Sequence, residues 1–301
     1  MNKYLRYFVF LLLTCLALLL ITMGLSVLLQ DKIKQSVIEE INYTLNTPVS
    51  VSEIDFSLLR FFPNASLTLK NVVIQGNPLK DAERPLLKAG KIDLVLSISS
   101  LFSSTTQLKK IEITDAELNI LTNEKGQKND QIFKQGDSNN TFAADFKKVY
   151  LKNVNLLIEN KSSDFILQTH LNTGLATGNF KNKTFELKTE ADFFAEVIRH
   201  ENISYIKQKP IQLNGVISVD LRNEIYVFND LKIQLANLNI KAKGKIEKRN
   251  DTFLDLNFTS TKANAAALLS ILPSNWVAPQ ILNYRYHGNI NFDTHIYGIP
   301  S

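Results

Sequence analysis

The sequence predicts a mainly β protein preceded by two helices, the first spanning a membrane and the second amphipathic. Three observations carry that expectation. A long uncharged apolar stretch lies near the N-terminus, apolar and polar residues alternate through most of the chain from Val49 onward, and a short pattern recurs along it.

The apolar stretch runs from Tyr7 to Leu29, 23 residues without a charge. At about 1.5 Å per residue it crosses a hydrocarbon core of roughly 30 Å. It is too long for the apolar core of a cleaved signal peptide, and Leu25 to Leu29 offers no small-residue cleavage site before Gln30 and Asp31, so the helix is expected to remain as an anchor. Lys3, Arg6 and the terminal amine precede it, against a sum of only +1 from Asp31, Lys32 and Lys34 after it, which predicts a cytoplasmic N-terminus. Residues 1–30 are thus read as cytoplasmic tip and transmembrane anchor, and residues 31–301 as a β domain on the far side. Directly after the anchor, Ile33, Val37, Ile38, Ile41 and Leu45 share one face of a helix from about Lys32 to Leu45, opposite Lys34, Gln35, Glu39 and Glu40. With so few cations, that helix suits packing on a sheet better than lying on a membrane surface. Thr47-Pro48 ends it.

Hydrophobic residues make up 45% of the 301 and charged residues 21%, enough apolar content for a packed core. Lys and Arg number 34 against 29 Asp and Glu, a net charge of +5, but no run of cations is interleaved with aromatics, so no nucleic-acid partner is expected. The single cysteine, Cys15, lies inside the apolar stretch, which leaves no intrachain disulfide and no cysteine-built zinc site. The four histidines, His170, His200, His287 and His295, have no paired ligand spacing, and there is no phosphate-binding loop, nucleophile elbow or dinucleotide fingerprint. Catalysis, cofactors and metals are therefore not expected. Ala89-Gly90-Lys91 reads as a turn.

The recurring pattern occupies Leu67 to Ile74, Ile111 to Leu118, Val149 to Leu156 and Ile233 to Ile240. Its central residues, Asn71, Asp115, Asn153 and Asn237, are 44, 38 and 84 residues apart. Within each copy the apolar residues change parity at the centre, so that Leu67 and Leu69 give way to Val72 and Ile74, and Ile111 and Ile113 to Ala116 and Leu118. A strand continuing unchanged would turn its apolar set outward. Each pivot is therefore expected to be a bulge or turn that keeps one face apolar, and Asn and Asp tolerate the left-handed angles this needs. Between these units, Asn123 to Thr141 reads as an exposed polar loop and Asn264 to Leu272 as a short helix ended by Pro273. Tyr284 to Gly298 alternates again, which reads as a sheet continuing toward Ser301 and the chain as the N-terminal part of a longer repeat structure.

Three fragments, in this order, carry a family likeness: Leu45-Asn46-Thr47-Pro48-Val49-Ser50-Val51 after the anchor; Phe56-Ser57-Leu58-Leu59-Arg60-Phe61-Phe62-Pro63 leading into Leu67-Thr68-Leu69-Lys70-Asn71-Val72; and Ala116-Glu117-Leu118-Asn119-Ile120-Leu121 running into Glu124-Lys125-Gly126-Gln127-Lys128-Asn129. Over most of its length the chain resembles the AsmA-like proteins of Gram-negative envelopes, related to TamB and more distantly to the chorein-type bridge lipid-transfer proteins. The resemblance implies a single-pass inner-membrane protein with a periplasmic domain. That domain would be a long curved antiparallel β-sheet, groove or taco-like, whose apolar inner face carries phospholipid acyl chains in lipid transport and outer-membrane assembly. Groove candidates are then Leu67, Leu69, Val72, Ile74, Ile111, Ile113, Leu118, Val149, Leu151, Leu156, Ile233 and Leu235, with Asn71, Asp115, Asn153 and Asn237 as structural pivots. A sheet with one continuous apolar face needs a second layer or a ligand to cover it. Periodicity alone favours the second layer, and the resemblance favours lipid. The alternative is a membrane-anchored scaffold that binds another envelope protein along its strand edges.

Overall fold

The computed structural model describes residues 45–77, 84–102, 107–132, 147–180, 182–248, 252–271 and 288–299, together with Thr14, Leu20, Gly24, Gln35, Glu39, Ile41 and Tyr43, each of these seven helical. The described strands form one sheet of thirteen. β1 (Val49–Ser50) and β2 (Glu53–Phe61) share one edge of β3 (Asn64–Ile74). Then follow, in chain and spatial order, β4 (Leu87–Leu96), β5 (Leu108–Thr122), β6 (Lys148–Asn160), β7 (Phe165–Thr177), β8 (Thr184–His200), β9 (Ile203–Asp220), β10 (Ile225–Leu235), β11 (Leu238–Lys248), β12 (Thr252–Asn264) and β13 (Asn289–Gly298). A 3-10 turn (Ile98–Phe102) lies between β4 and β5. A short helix, α1 (Ala265–Ile271), follows β12 where a helix was expected, and the Asn264 side chain caps it by accepting from the Ala266 N–H at 2.9 Å.

Neighbouring strands are antiparallel with one exception. β5 and β6 run parallel, Lys110 opposite Lys148 and Thr122 opposite Asn160, so the expected antiparallel sheet is corrected to a mixed one. The chain between residues 122 and 148 carries β6 back to the end where β5 began, and alternation alone contains no sign of strand direction. The described part of that connection is exposed at Glu124 to Gln127 and at Asp130 and Gln131, as expected of a loop, but it is pinned at Asn129. Lys128 bridges back to Thr122, and Asn129 is 1% exposed. The Asn129 side chain accepts from the Leu121 N–H and donates to the Asn119 carbonyl, both at 2.8 Å, while its own carbonyl accepts from the Asn77 N–H at 3.0 Å. These bonds tie the end of β5 to the first turns of the domain.

The predicted span Tyr7–Leu29 lies outside the described residues except for Thr14, Leu20 and Gly24, and among the described residues no helix is long and apolar enough to cross a membrane. In the amphipathic segment Ile41 packs against the apolar cluster of the sheet, whereas Gln35 and Glu39 are exposed, as an i, i+3, i+4 stripe requires.

Asn71, Asp115 and Asn153 have positive φ, at 49°, 55° and 54°. They lie on one line across the sheet. β3 pairs with β4 through Lys70 and Lys91 on one side of Asn71 and through Val72 and Ala89 on the other, which leaves Asn71 opposite Gly90. By the same reasoning Asp115 faces Gly90, Asn153 faces Asp115, and Asn172 faces Asn153. Because five neighbouring strands each hold one extra residue at the same level, pairing resumes beyond it in unchanged register. The extra residue is dropped between β7 and β8, where Leu171 and Thr173 pair with the adjacent Phe193 and Asp192 and Asn172 remains as a bulge. Gly90 is therefore a strand residue, a correction to the turn expected there. A Cβ at Gly90 would come within 3.3 Å of the Asp115 Cβ, so a side chain would crowd the line. Asn237 lies elsewhere. The positive φ (50°) belongs to Ala236, and Ala236-Asn237 is the two-residue turn of the β10–β11 hairpin, which sets Leu235 opposite Leu238.

Two predictions test this backbone. At Asn153, Gly should be tolerated, whereas Asn153→Val should lower the urea-unfolding free energy by about 1–2 kcal/mol, the cost of left-handed angles for an ordinary L-residue; equal stability of the two variants would contradict the geometry. The second concerns the β9–β10 turn, where the Asn223 side chain donates to Asp220 at 2.8 Å, and the N–H groups of Asn223 and Arg222 also donate to it. The Asn223 bond leads these in holding the Asp220 carboxyl below its ordinary 3.8. Because the folded pKa is the lower one, its stabilisation is present above the unfolded carboxyl range and is lost as pH falls through the folded value. The melting-temperature gap between wild type and Asp220→Ala should be constant from pH 5 to 7 and close below about pH 4.

Candidate functional site

Residues directly opposite each other on paired strands present their side chains to the same face. Following the pairings, Val72, Ala89, Ala116, Val154, Leu171, Phe193, Ile211, Leu235 and Leu238 form an unbroken apolar row from β3 to β11. A second row runs on the other side of the pivot line: Leu69, Ile92, Ile113, Leu151, Gly174, Ala191, Leu213, Ile233 and Ile240. Shorter rows flank both. Leu67, Leu94, Ile111, Val149 and Ala176 lie outside the second row, and Ile74, Leu87, Leu118 and Leu156 outside the first. Left-handed residues at the pivots are what place both sides on one face. Leu69, Ile92, Val72, Ala89, Ala116 and Val154 belong to one packed cluster.

All twelve groove candidates fall in these four rows, four to a row at most, and the structure places them on one face. The sequence reading missed the contributions of β4, β7, β8, β9 and β11. A signal for β4 was present, since Leu87 and Ala89 change parity to Ile92 and Leu94 around Gly90 just as the other copies do.

Cover over this face is uneven. The cluster from β1 to β7 is packed by Ile41 of the amphipathic segment and by Ile98 and Leu101 of the 3-10 turn. The smaller cluster of Ala195, Ile211 and Leu235, with Phe193, Ile206 and Ile233 against it, draws every member from β8, β9 and β10. Among the described residues, nothing from another layer packs on it. On the opposite face an open hollow of about 840 Å³ extends over β7 to β12, lined by the rows Glu190, Asn214, Lys232, Lys241 and Asp192, Gln212, Gln234, Asn239, which alternate with the apolar rows. A smaller one of about 250 Å³ lies between Arg84, Glu117 and Glu196.

Several polar side chains on the opposite face are tied to one another. Thr68 donates to Asp93 at 2.6 Å, and the fully buried Asp93 carboxylate lies 3.1 Å from the Lys91 Nζ and 3.5 Å from an Arg60 Nη1. Asn153 donates to Asp115, and Asn172 to Asp192 at 3.2 Å. His295 is paired with Asp255 at 2.8 Å and His170 with Asn155 at 2.7 Å, while His287 lies outside the described residues. Among the described residues no three His, Cys, Asp or Glu side chains gather to hold a metal ion. Neither a family model nor a curated protein matches the chain.

Facing can be tested by substitution. Val154 is 3% exposed in the first row and Asn155, beside it, is exposed on the other face. Val154→Asp should cost about 3 kcal/mol of unfolding free energy, a buried unpaired charge, while Asn155→Asp should stay within about 0.5 kcal/mol of wild type.

Proposed function

We propose that the protein is anchored in the inner membrane by residues 1–30 and carries phospholipid acyl chains on the apolar face of its sheet, as a participant in lipid transport and outer-membrane assembly. The observation that carries this reading is the apolar face over β8 to β10, whose cluster has no cover from another layer among the described residues. A continuous apolar face favours an apolar cover by about 25 cal/mol per Å² removed from water, and a lipid tail supplies one without asking for hydrogen bonds. The expected anchor supplies proximity to a bilayer, and the AsmA-like resemblance favours phospholipid as the occupant.

A second reading, a scaffold that pairs with another envelope protein, is favoured by β13. Among the described residues β13 pairs on one side only, with β12, and it leaves Ile290, Ile296 and Tyr297 exposed. Photoreactive residues introduced at Ile113, Leu151, Leu235 and Tyr297 in the full chain, in cells, separate the two readings. Acyl-chain adducts at the first three, found by mass spectrometry, are the expected result. Protein adducts concentrated at Tyr297, with none of lipid in the rows, would replace transport by scaffolding.

A further inference from the structure

The hollow over β7 to β12 holds a pair of like charges without a paired counter-charge among the described residues. Lys232 on β10 and Lys241 on β11 are direct cross-strand partners, both exposed and both lining the hollow. Their Cβ atoms are about 5 Å apart in such a pairing, and two like charges so placed repel. The other cross-strand lysine pairs among the described residues, Lys70 with Lys91 and Lys110 with Lys148, hold carboxylates: Lys70 meets Asp55 at 2.8 Å, Lys91 meets Asp93 at 3.1 Å and Lys110 meets Glu112 at 2.6 Å. Lys232 and Lys241 have no such partner among the described residues. The nearest carboxylates on their own row are Glu190 and Asp293, each two strands away with Asn214 or Thr259 between, which at about 4.8 Å per strand is roughly a Debye length. Asn214 and Asn239 also line the hollow and likewise make no side-chain hydrogen bond within the described residues, whereas Asn153, Asn172, Asn229 and Asn257 all donate to a cross-strand neighbour.

We propose that Lys232 and Lys241, with the Asn214 and Asn239 amides, form a binding site for a phosphate group. An anion between the two ammonium groups turns their repulsion into attraction, and the amides supply neutral donors to its remaining oxygens. At about 840 Å³ the hollow has room for much more than phosphate, as expected where the group is one end of a larger molecule. Phosphate chemistry is shared by a phospholipid headgroup and a free phosphate compound. The site does not depend on acyl-chain carriage, and its failure would leave that reading standing.

The test titrates the full chain, purified in an uncharged maltoside detergent without phosphate, by calorimetry with three probes: inorganic phosphate, dihexanoyl phosphatidylglycerol and dihexanoylglycerol, which has the same chains without phosphate. At least one phosphate-bearing probe should bind, at least tenfold more tightly than dihexanoylglycerol, with affinity falling as salt rises. Binding of the lipid alone identifies a headgroup site, and binding of inorganic phosphate identifies a site for the free anion. The double variant K232Q/K241Q should lose at least tenfold in affinity for that probe. As a fold control, Lys232→Glu replaces repulsion by a cross-strand ion pair, so its melting temperature should equal or exceed wild type while phosphate binding is lost. Absence of binding by both phosphate probes, or unchanged affinity in the double variant, overturns the site.

Discussion

One extra residue, repeated at the same level in five neighbouring strands, is the constraint on which the apolar face depends. Side chains alternate along a strand, so a single added residue would send everything beyond it to the wrong face. At Asn71, Asp115 and Asn153 the backbone absorbs that residue by taking left-handed angles, which cost an ordinary L-residue about 1–2 kcal/mol and cost Asn or Asp less. Had only one strand carried the insertion, its ladder would have slipped against both neighbours. Because β3 through β7 all carry it, each ladder skips one level and continues, and the unpaired backbone groups are confined to a single line. Gly90 completes the line by having no side chain where the Asp115 Cβ and carbonyl come within 3.3 and 3.4 Å of its own missing Cβ.

The opposite face holds the same register by electrostatics. Asp93 is fully buried between Thr68, Arg60 and Lys91, and moving a carboxylate out of water without cations around it would cost several kcal/mol. A one-residue slip of β4 would set that charge among Leu67 and Ile111 or Leu69 and Ile113. The network therefore adds little net stability but excludes the alternative pairings, so packing on one face and charge on the other specify one register.

Alternation and the parity change were legible in the sequence because both are local. The alignment of the pivots was not, since it is a property of pairing. In hindsight the 44 and 38 residues between Asn71, Asp115 and Asn153 are the register offsets of strands that run in the same direction. The fourth copy misled for a physical reason. A left-handed residue inside a strand and a two-residue hairpin turn both leave two residues between apolar positions on one face, so Leu235-Ala236-Asn237-Leu238 and Leu69-Lys70-Asn71-Val72 read alike although one is a turn and the other a strand. Gly90 was hidden by the opposite ambiguity, a glycine beside a lysine reading as a turn although β4 passes through it. Strand direction at β6 and the contributions of Asn172 and Asn129 leave no pattern in their own neighbourhoods.

Asn172 marks a division that organises the rest. Up to β7 the two apolar rows are separated by two residues along each strand, and their cluster is covered by Ile41, Ile98 and Leu101. From β8 to β11 the extra residue is gone, one residue separates the rows, and at about 3.3 Å per residue they draw closer by one step. The described cover ends at the same place. A left-handed line and a cover from Ile41, Ile98 and Leu101 on one side, and plain strands without such cover among the described residues on the other, divide one sheet into two parts. On the proposed function this gives the two parts different work: the first fixes the sheet next to the anchor, and the second offers the surface that a lipid can reach.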